Sequence, residues 1–473
     1  MTRLRSLAAL LGLLCCACAA PPAGTPAPTP SPPRTSPPSV PVPSPVAAAS
    51  PTPVRPTGWL TYGGGPARLG VDSTSPPLGS PAPAWASIAL DGPVWAQPLV
   101  DDGLVLVATE GGSLYALDAT TGAVVWRTHV DDPIPRADLP CGDVSPLGIT
   151  GTPVIDPSTQ TLFAVAERGD GTHQLVAVSV ATGAVLWRRV IDPPGTVPRD
   201  QQQRAALALA GGRVIVASGG LDGDCGTYRG YVVSVPESGG GPEDTYIVPV
   251  RNGAGIWAPS GPSVSTAGEV FAASGNSQEG AYAATTPFDH SDSVIGLTPT
   301  MSEVGDFAPA DWRHLSEADL DLGSTGPLLD GSDVLVCGKD GVLYLLAAQA
   351  LGGVGGQLAG LSLGAGAFGG LALDGTTALV PTTAALDAVS VDPAARALRL
   401  VWRGPATWAP TVAAGAAWAV TRAGSDLVAL SPSTGARLFS LPLGLVEHFT
   451  TPAAADGWVY VASGDRIVAV RGV

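Results

Sequence analysis

The side chains able to do chemistry fall in a few short polar segments: Cys141-Gly142-Asp143, Asp222-Gly223-Asp224-Cys225, Gly275-Asn276, Asp319-Leu320-Asp321 and Gly338-Lys339-Asp340-Gly341. Carboxylates and an amide oxygen suit a hard cation, because calcium takes roughly six to eight oxygens in irregular geometry. The same residue types also cap loops in water, so both uses stay open. Lys339 is the sole lysine beside 23 arginines. Other chemistries lack their residues. The five His have no zinc spacing, and no Cys-x-x-Cys-His, P-loop or serine nucleophile elbow occurs. Gly364, Gly366 and Gly369 spell a lone GxGxxG, but no crossover helix follows to make it a dinucleotide site.

The elements that must position these segments repeat. Gln97 to Val100, Leu104 to Ala108, Leu114 to Asp118, a Thr121-Gly122 turn and Val125-Trp126 make one unit. A second runs from Thr152 through Leu162 to Ala166 and Leu175 to Val178, then Thr182-Gly183 to Trp187. Further first strands read at Ala205 to Leu209, Gly261 to Val264, Gly326 to Leu329, Leu371 to Leu373, Ala409 to Val412 and Thr451 to Ala453. Eight units of four short strands predict an all-β, eight-bladed β-propeller of antiparallel blades. The last unit supplies only three strands, and Ala84 to Leu90 is a spare fourth, so the N-terminal strand is expected to close the ring. Trp85, Trp126, Trp187 and Trp402, with Phe439 and Tyr246 in the same slot, are expected to pack between blades.

In an up-and-down blade, the loops between strands two and three share a face with the connections between blades. The long segments 129 to 147, 191 to 203, 219 to 230, 249 to 260 and 275 to 293 all obey this, so elaboration is expected on one face. Cys141 and Cys225 then lie in loops of successive blades, and a disulfide between them is expected. Cys337 ends a β run and reads as a buried thiol.

Leu114-Tyr115-Ala116-Leu117-Asp118-Ala119-Thr120-Thr121-Gly122 followed by Trp126 resembles the repeat of the pyrroloquinoline quinone (PQQ) propeller superfamily. That superfamily includes quinoprotein alcohol dehydrogenases and non-enzymatic propellers, such as the lipoprotein of the outer-membrane β-barrel assembly machinery. For a dehydrogenase, the resemblance implies Asn276 and Asp224 near calcium, Asp319 or Asp321 as base, Lys339 at the quinone oxygens and Trp257 as the floor under the ring. The sequence departs from that pattern at two places. Gly142 follows Cys141 where the family has a second cysteine, and Asp224 and Cys225 stand where it has a calcium-binding Glu. The leading expectation is therefore a binding or scaffold propeller of the cell envelope, engaging a protein or polymer through the loop face as a monomer. The alternative is an alcohol dehydrogenase dependent on PQQ and calcium.

Composition bounds the partners. Gly (61) and Pro (47) are too frequent for a helical protein, and charged residues are 14%, against roughly 25% in usual soluble domains. Acids outnumber bases 40 to 24, a balance that repels phosphate backbones and argues against nucleic acid. Residues 1–18 read as a signal peptide: Arg3 and Arg5, an apolar run from Leu7 to Leu14, then Cys15, Cys16, Ala17 and Cys18. The ending resembles a bacterial lipoprotein box with Cys18 as lipid acceptor. Residues 19–57 read as a stalk, with 15 Pro between positions 21 and 57, and residues 58–473 as the propeller. An extracytoplasmic protein, lipid-anchored or secreted, is expected.

Overall fold

The computed structural model describes residues 58–472. The expected signal peptide, Cys18 and the stalk lie outside the described residues.

Eight antiparallel sheets form the blades, at residues 99–129, 154–190, 208–247, 263–308, 328–362, 372–403, 411–442 and 453–471. The eighth holds three strands of its own, Ala453–Ala455, Trp458–Ser463 and Arg466–Arg471, and takes its fourth from Ala82–Ala86. The ring is an eight-bladed β-propeller closed by its N-terminal strand. Its only α-helix among the described residues is Trp312–Glu317.

The repeat is explained by how one blade grips the next. In five blades an aromatic of the outer strand faces an alanine of strand three: Trp126 faces Ala116, Trp187 faces Ala177, Trp402 faces Ala388, Phe439 faces Ala429 and Trp85 faces Ala469. The small partner leaves room for the ring. Each of the four indoles donates across the gap to a turn carbonyl: Trp85 to Ala119, Trp126 to Val180, Trp187 to Glu237 and Trp402 to Pro432. The glycine of that turn is obligatory. Gly183 has φ +71°, and a Cβ there would lie 2.7 Å from the Trp126 ring. Blade four lacks the aromatic, with Gly305 facing Gly296, and Leu351 packs beside Gly296 instead.

Leu351 comes from residues 348–358, an insertion between strands three and four of blade five, on the face opposite the other long loops. Its Gly353–Val354 strand pairs in parallel with Phe307 and Ala308 of blade four. Elaboration is thus not confined to one face, as the loop lengths had implied; this insertion packs two blades together.

Residues 58–81 hold a feature the strand pattern did not foretell. The segment runs around the bore and bonds at or beside the innermost strands of blades one to seven in turn. Gly58 and Trp59 pair with Asp101 and Val100. Leu60 then accepts from the Ile155 N–H (2.9 Å), Thr61 donates to the Leu207 carbonyl (3.0 Å), and Pro66 accepts from Val264 (2.8 Å). Ala67, Leu69 and Gly70 accept from Leu329, Leu373 and Val412, at 2.9, 2.8 and 2.7 Å. Without this belt those buried backbone groups would be unpaired. Arg68, 2% exposed, pins it by donating to the carbonyls of Pro262, Tyr62 and Leu207 at 3.0, 3.0 and 2.8 Å.

Candidate functional site

The loop-bearing mouth of the ring holds a pocket of about 370 Å³. Its first wall comes from blades four and five. Asp319-Leu320-Asp321 follows the helix Trp312–Glu317, and Lys339 sits at the turn between strands Asp333–Cys337 and Val342–Ala347. The Lys339 N–H donates to the Asp321 carbonyl (2.9 Å), fixing the two segments against each other. The Lys339 Nζ then lies 2.7 Å from Asp319 Oδ1 and 2.8 Å from Asp321 Oδ2. Burial acts to lower the ammonium's pKa, but the Asp321 charge and both carboxylate contacts outweigh it and hold Lys339 above its usual value. Asp321 is buried and Asp319 exposed, so the ion pair reaches from the protein to the water of the mouth.

The other oxygen of Asp321 is also taken. Its Oδ1 accepts from the Asn276 backbone N–H at 2.6 Å. Gly275 makes this possible, because a Cβ there would lie 2.6 Å from that oxygen and 3.3 Å from Trp257 Nε1. Asn276 thus serves the site through its backbone, and its side chain does not line the pocket. Asp224 does line it, and its Oδ1 accepts from the Tyr228 hydroxyl at 2.6 Å. Burial, with the charges of Asp321 and Asp319, raises the Asp224 carboxyl above its ordinary range, and Tyr228 is raised likewise by burial and by Asp224.

The floor is aromatic. Trp257, Phe368 and Phe449 come from three different inter-blade connections, with ring centroids 6.3 to 6.4 Å apart in every pairing. The Lys339 ammonium stands 5.8 Å from the Trp257 ring centre, within cation–π range. On the far side Arg204 and His448 clamp Asp143, at 2.8 and 2.9 Å. Despite the opposing effect of partial burial, His448 and Arg204 hold the Asp143 carboxyl down to about 2.

Cys141 and Cys225 are joined by a disulfide with Cα atoms 6.0 Å apart. It ties the connection carrying Asp143 to the loop carrying Asp222 and Asp224, and so fixes one wall of the pocket. Cys337 is free and buried.

Of the residues named from sequence, Asp224, Trp257, Asp319, Asp321 and Lys339 line one pocket, while Asn276 contributes only its N–H. Sequence reasoning missed Gln202, Arg204, Phe368, His448 and Phe449. None belongs to the repeat; their one legible signal was a place on connections that open to the loop face.

Residues 75–294 match the family model described as outer membrane protein assembly factor BamB, a PQQ-repeat family. That match covers just under half of the chain, whose fold is an eight-bladed β-propeller. Among curated proteins it is similar to a polyvinylalcohol dehydrogenase of Sphingopyxis sp. (24% identical over 294 residues, 52% of this chain and 41% of that protein). It is also similar to the outer membrane protein assembly factor BamB of Yersinia pestis (27% over 108 residues, 23% of each). The matches span less than half the length of the curated relatives. Among solved structures, the quinohemoprotein alcohol dehydrogenase of Comamonas testosteroni superposes with a TM-score of 0.70 at 16% identity, covering 88% of this chain and 80% of that one. At that identity the likeness is one of fold.

Proposed function

We propose that this chain is an extracytoplasmic propeller, lipid-anchored through Cys18, that binds an envelope component with its loop-bearing face and does not catalyse. The observation that carries this reading is the state of Asp321. Its Oδ1 is held by the Asn276 N–H and its Oδ2 by the Lys339 ammonium. A general base must present an oxygen to the substrate proton, and here each oxygen of the carboxylate already accepts a bond that ties the loops together. The kinship with BamB, named as an outer membrane protein assembly factor, agrees with a place at the envelope. Among the described residues no helix is long and apolar enough to cross a membrane.

A second reading, a quinoprotein dehydrogenase, is favoured by the convergence of Asp319, Asp321, Lys339 and Trp257 on one pocket and by the match to a polyvinylalcohol dehydrogenase. Trp257 and Lys339 are the residues that would hold a quinone, as an aromatic surface and a cation. Calcium does not fit the donor set. Asp319 and Asp321 already hold the ammonium, Asp224 holds Tyr228, and the Asn276 side chain is outside the pocket. Among the described residues no three acidic, His or Cys side chains gather to hold a metal. No catalytic step is therefore drawn through the pair.

The test is retention. Full-length protein incubated with PQQ and calcium and then gel-filtered should elute without quinone absorbance or bound calcium. One equivalent of each, lost in Asp321→Asn, would reverse the order of the two readings.

A further inference from the structure

The way an outer-strand indole meets the next blade follows a rule. In three gaps the acceptor is the residue after strand three whose own N–H bonds to the turn between strands one and two. Ala119, Val180 and Glu237 donate to the carbonyls of Gly103, Gln160 and Gly212, at 2.9, 3.0 and 3.1 Å. Their own carbonyls receive the indoles of Trp85, Trp126 and Trp187. Between blades four and five the same residue is Ala348, whose N–H donates to the Ser332 carbonyl at 2.7 Å. Among the described residues nothing donates to the Ala348 carbonyl. The side chain that would do so is missing, because Gly305 holds the place of the aromatic in blade four, opposite Gly296. A Cβ on Gly305 would meet nothing within 4 Å. Leu351 takes part of the vacated space, and a cavity of about 230 Å³ remains, lined by Phe271, Gly296, Gly305, Ala348 and Leu351. Val304, which also lines it, is 54% exposed, and Val354 beside it 46%.

We infer that this slot receives a tryptophan side chain from an extended segment of a partner protein, with basic residues flanking it. The indole N–H donates to the Ala348 carbonyl, and the ring packs on Phe271 in the room before Gly305, as Trp126 packs against blade two. The flanking stems cover Val304 and Val354. Their charges complement Glu269 and Asp306, which line the same cavity. A phenylalanine would fill the room but leave the carbonyl without a donor. The cavity is smaller than the roughly 300–1,000 Å³ of sites that enclose a whole small molecule, which favours one side chain of a larger partner. A second copy of the chain is a poor source, since among the described residues no aromatic is one of its exposed large apolar side chains. The slot shares no residue with the pocket of the mouth, so the inference stands apart from what the mouth binds.

The experiment is fluorine NMR titration of full-length protein with three probes: a blocked tripeptide of fluorotryptophan between two lysines, its fluorophenylalanine analogue, and fluorotryptophan alone as its N-acetyl amide. The first should bind saturably and about fivefold more tightly than the second, the factor that one net hydrogen bond gives. It should also bind about fivefold more tightly than the third, a margin that narrows as salt is raised. Gly305→Trp fills the slot from within, so it should abolish binding of the tripeptide and melt no lower than the wild type. Saturable binding that persists in folded Gly305→Trp would place the probe elsewhere and overturn the inference. So would an absence of saturable binding to the wild type, which needs no variant to fold. Equal binding of the phenylalanine analogue would overturn the role of the Ala348 carbonyl. Equal binding of the lone amide at all salt concentrations would replace the protein segment by a small aromatic ligand. Self-association of the wild type that Gly305→Trp abolishes would put a second copy in the slot instead.

Discussion

Gly183→Ala should unfold the ring far more easily than an alanine at a glycine of the same backbone conformation. Gly183 and Gly415 have φ of +71° and +74°. At Gly415 nothing lies within 4 Å of a new Cβ, so Gly415→Ala should cost only the left-handed penalty, about 1 kcal/mol. At Gly183 the Cβ would stand 2.7 Å from the Trp126 ring and 2.8 Å from Thr128 Oγ1. The indole cannot stay, and its 2.8 Å bond to the Val180 carbonyl goes with it. Adding overpacking of ~1–3 kcal/mol and a lost hydrogen bond of ~1 to the backbone penalty gives about 3–5 kcal/mol for Gly183→Ala. Trp126→Ala alone should cost ~3–5 kcal/mol as a cavity. In the double variant the clash with the ring is absent and only the Thr128 Oγ1 contact remains, so the second substitution should add about 1–2 kcal/mol, a coupling of ~2–3. Equilibrium urea unfolding with an unchanged slope measures all four proteins. If Gly183→Ala and Gly415→Ala agree within ~0.5 kcal/mol, the inter-blade indole is not what demands the glycine, and the account of the repeat is wrong.

Two further expectations concern a buried carboxyl and the disulfide. Glu110 is fully buried with Oε2 on the Gly148 N–H (2.6 Å), and burial pushes its carboxyl up to about 8, from 4.5. The folded state then holds a proton that the unfolded chain has lost. The contribution is full below about pH 4.5 and disappears as pH rises through 8, so stability should fall across that window and Glu110→Gln should flatten the fall, as read from unfolding midpoints between pH 5 and 9. Peptide mapping without reduction should recover Cys141 joined to Cys225, and Cys225→Ser should lower stability by ~3–5 kcal/mol; free thiols at both positions would remove the bridge from the site's wall.

What could be read from sequence, and what could not, follows from where the bonds are made. The blades were legible because Leu114 to Asp118, the Thr121-Gly122 turn and Trp126 repeat in kind, each residue type being fixed by a contact that recurs. Ring closure by Trp85 followed from the missing fourth strand of the last blade. Residues 58–81 gave no such signal. Many of their bonds to the blades are backbone to backbone, and the glycines and prolines that let the segment turn through the bore look like an ordinary linker. At the site, Asp319, Asp321, Lys339 and Trp257 were found together because a known pattern linked them. Arg204, His448, Phe368 and Phe449 were not, because residues from separate connections meet only when the ring closes. Asn276 was read for its side chain, while the fold uses its N–H; sequence names the side chain and is silent on which group is used.

The central claim is that Asp321 and Lys339 are committed to each other and to the loops, and not to alcohol oxidation. Dye-linked oxidation of short alcohols and of polyvinyl alcohol by full-length protein, with PQQ and calcium in excess, tests it most directly. The expected rate is that of the no-protein control, unchanged in Asp321→Asn and Lys339→Ala. Sustained turnover by the wild type that both substitutions abolish, with folding intact, would contradict the account and make the protein a quinoprotein dehydrogenase.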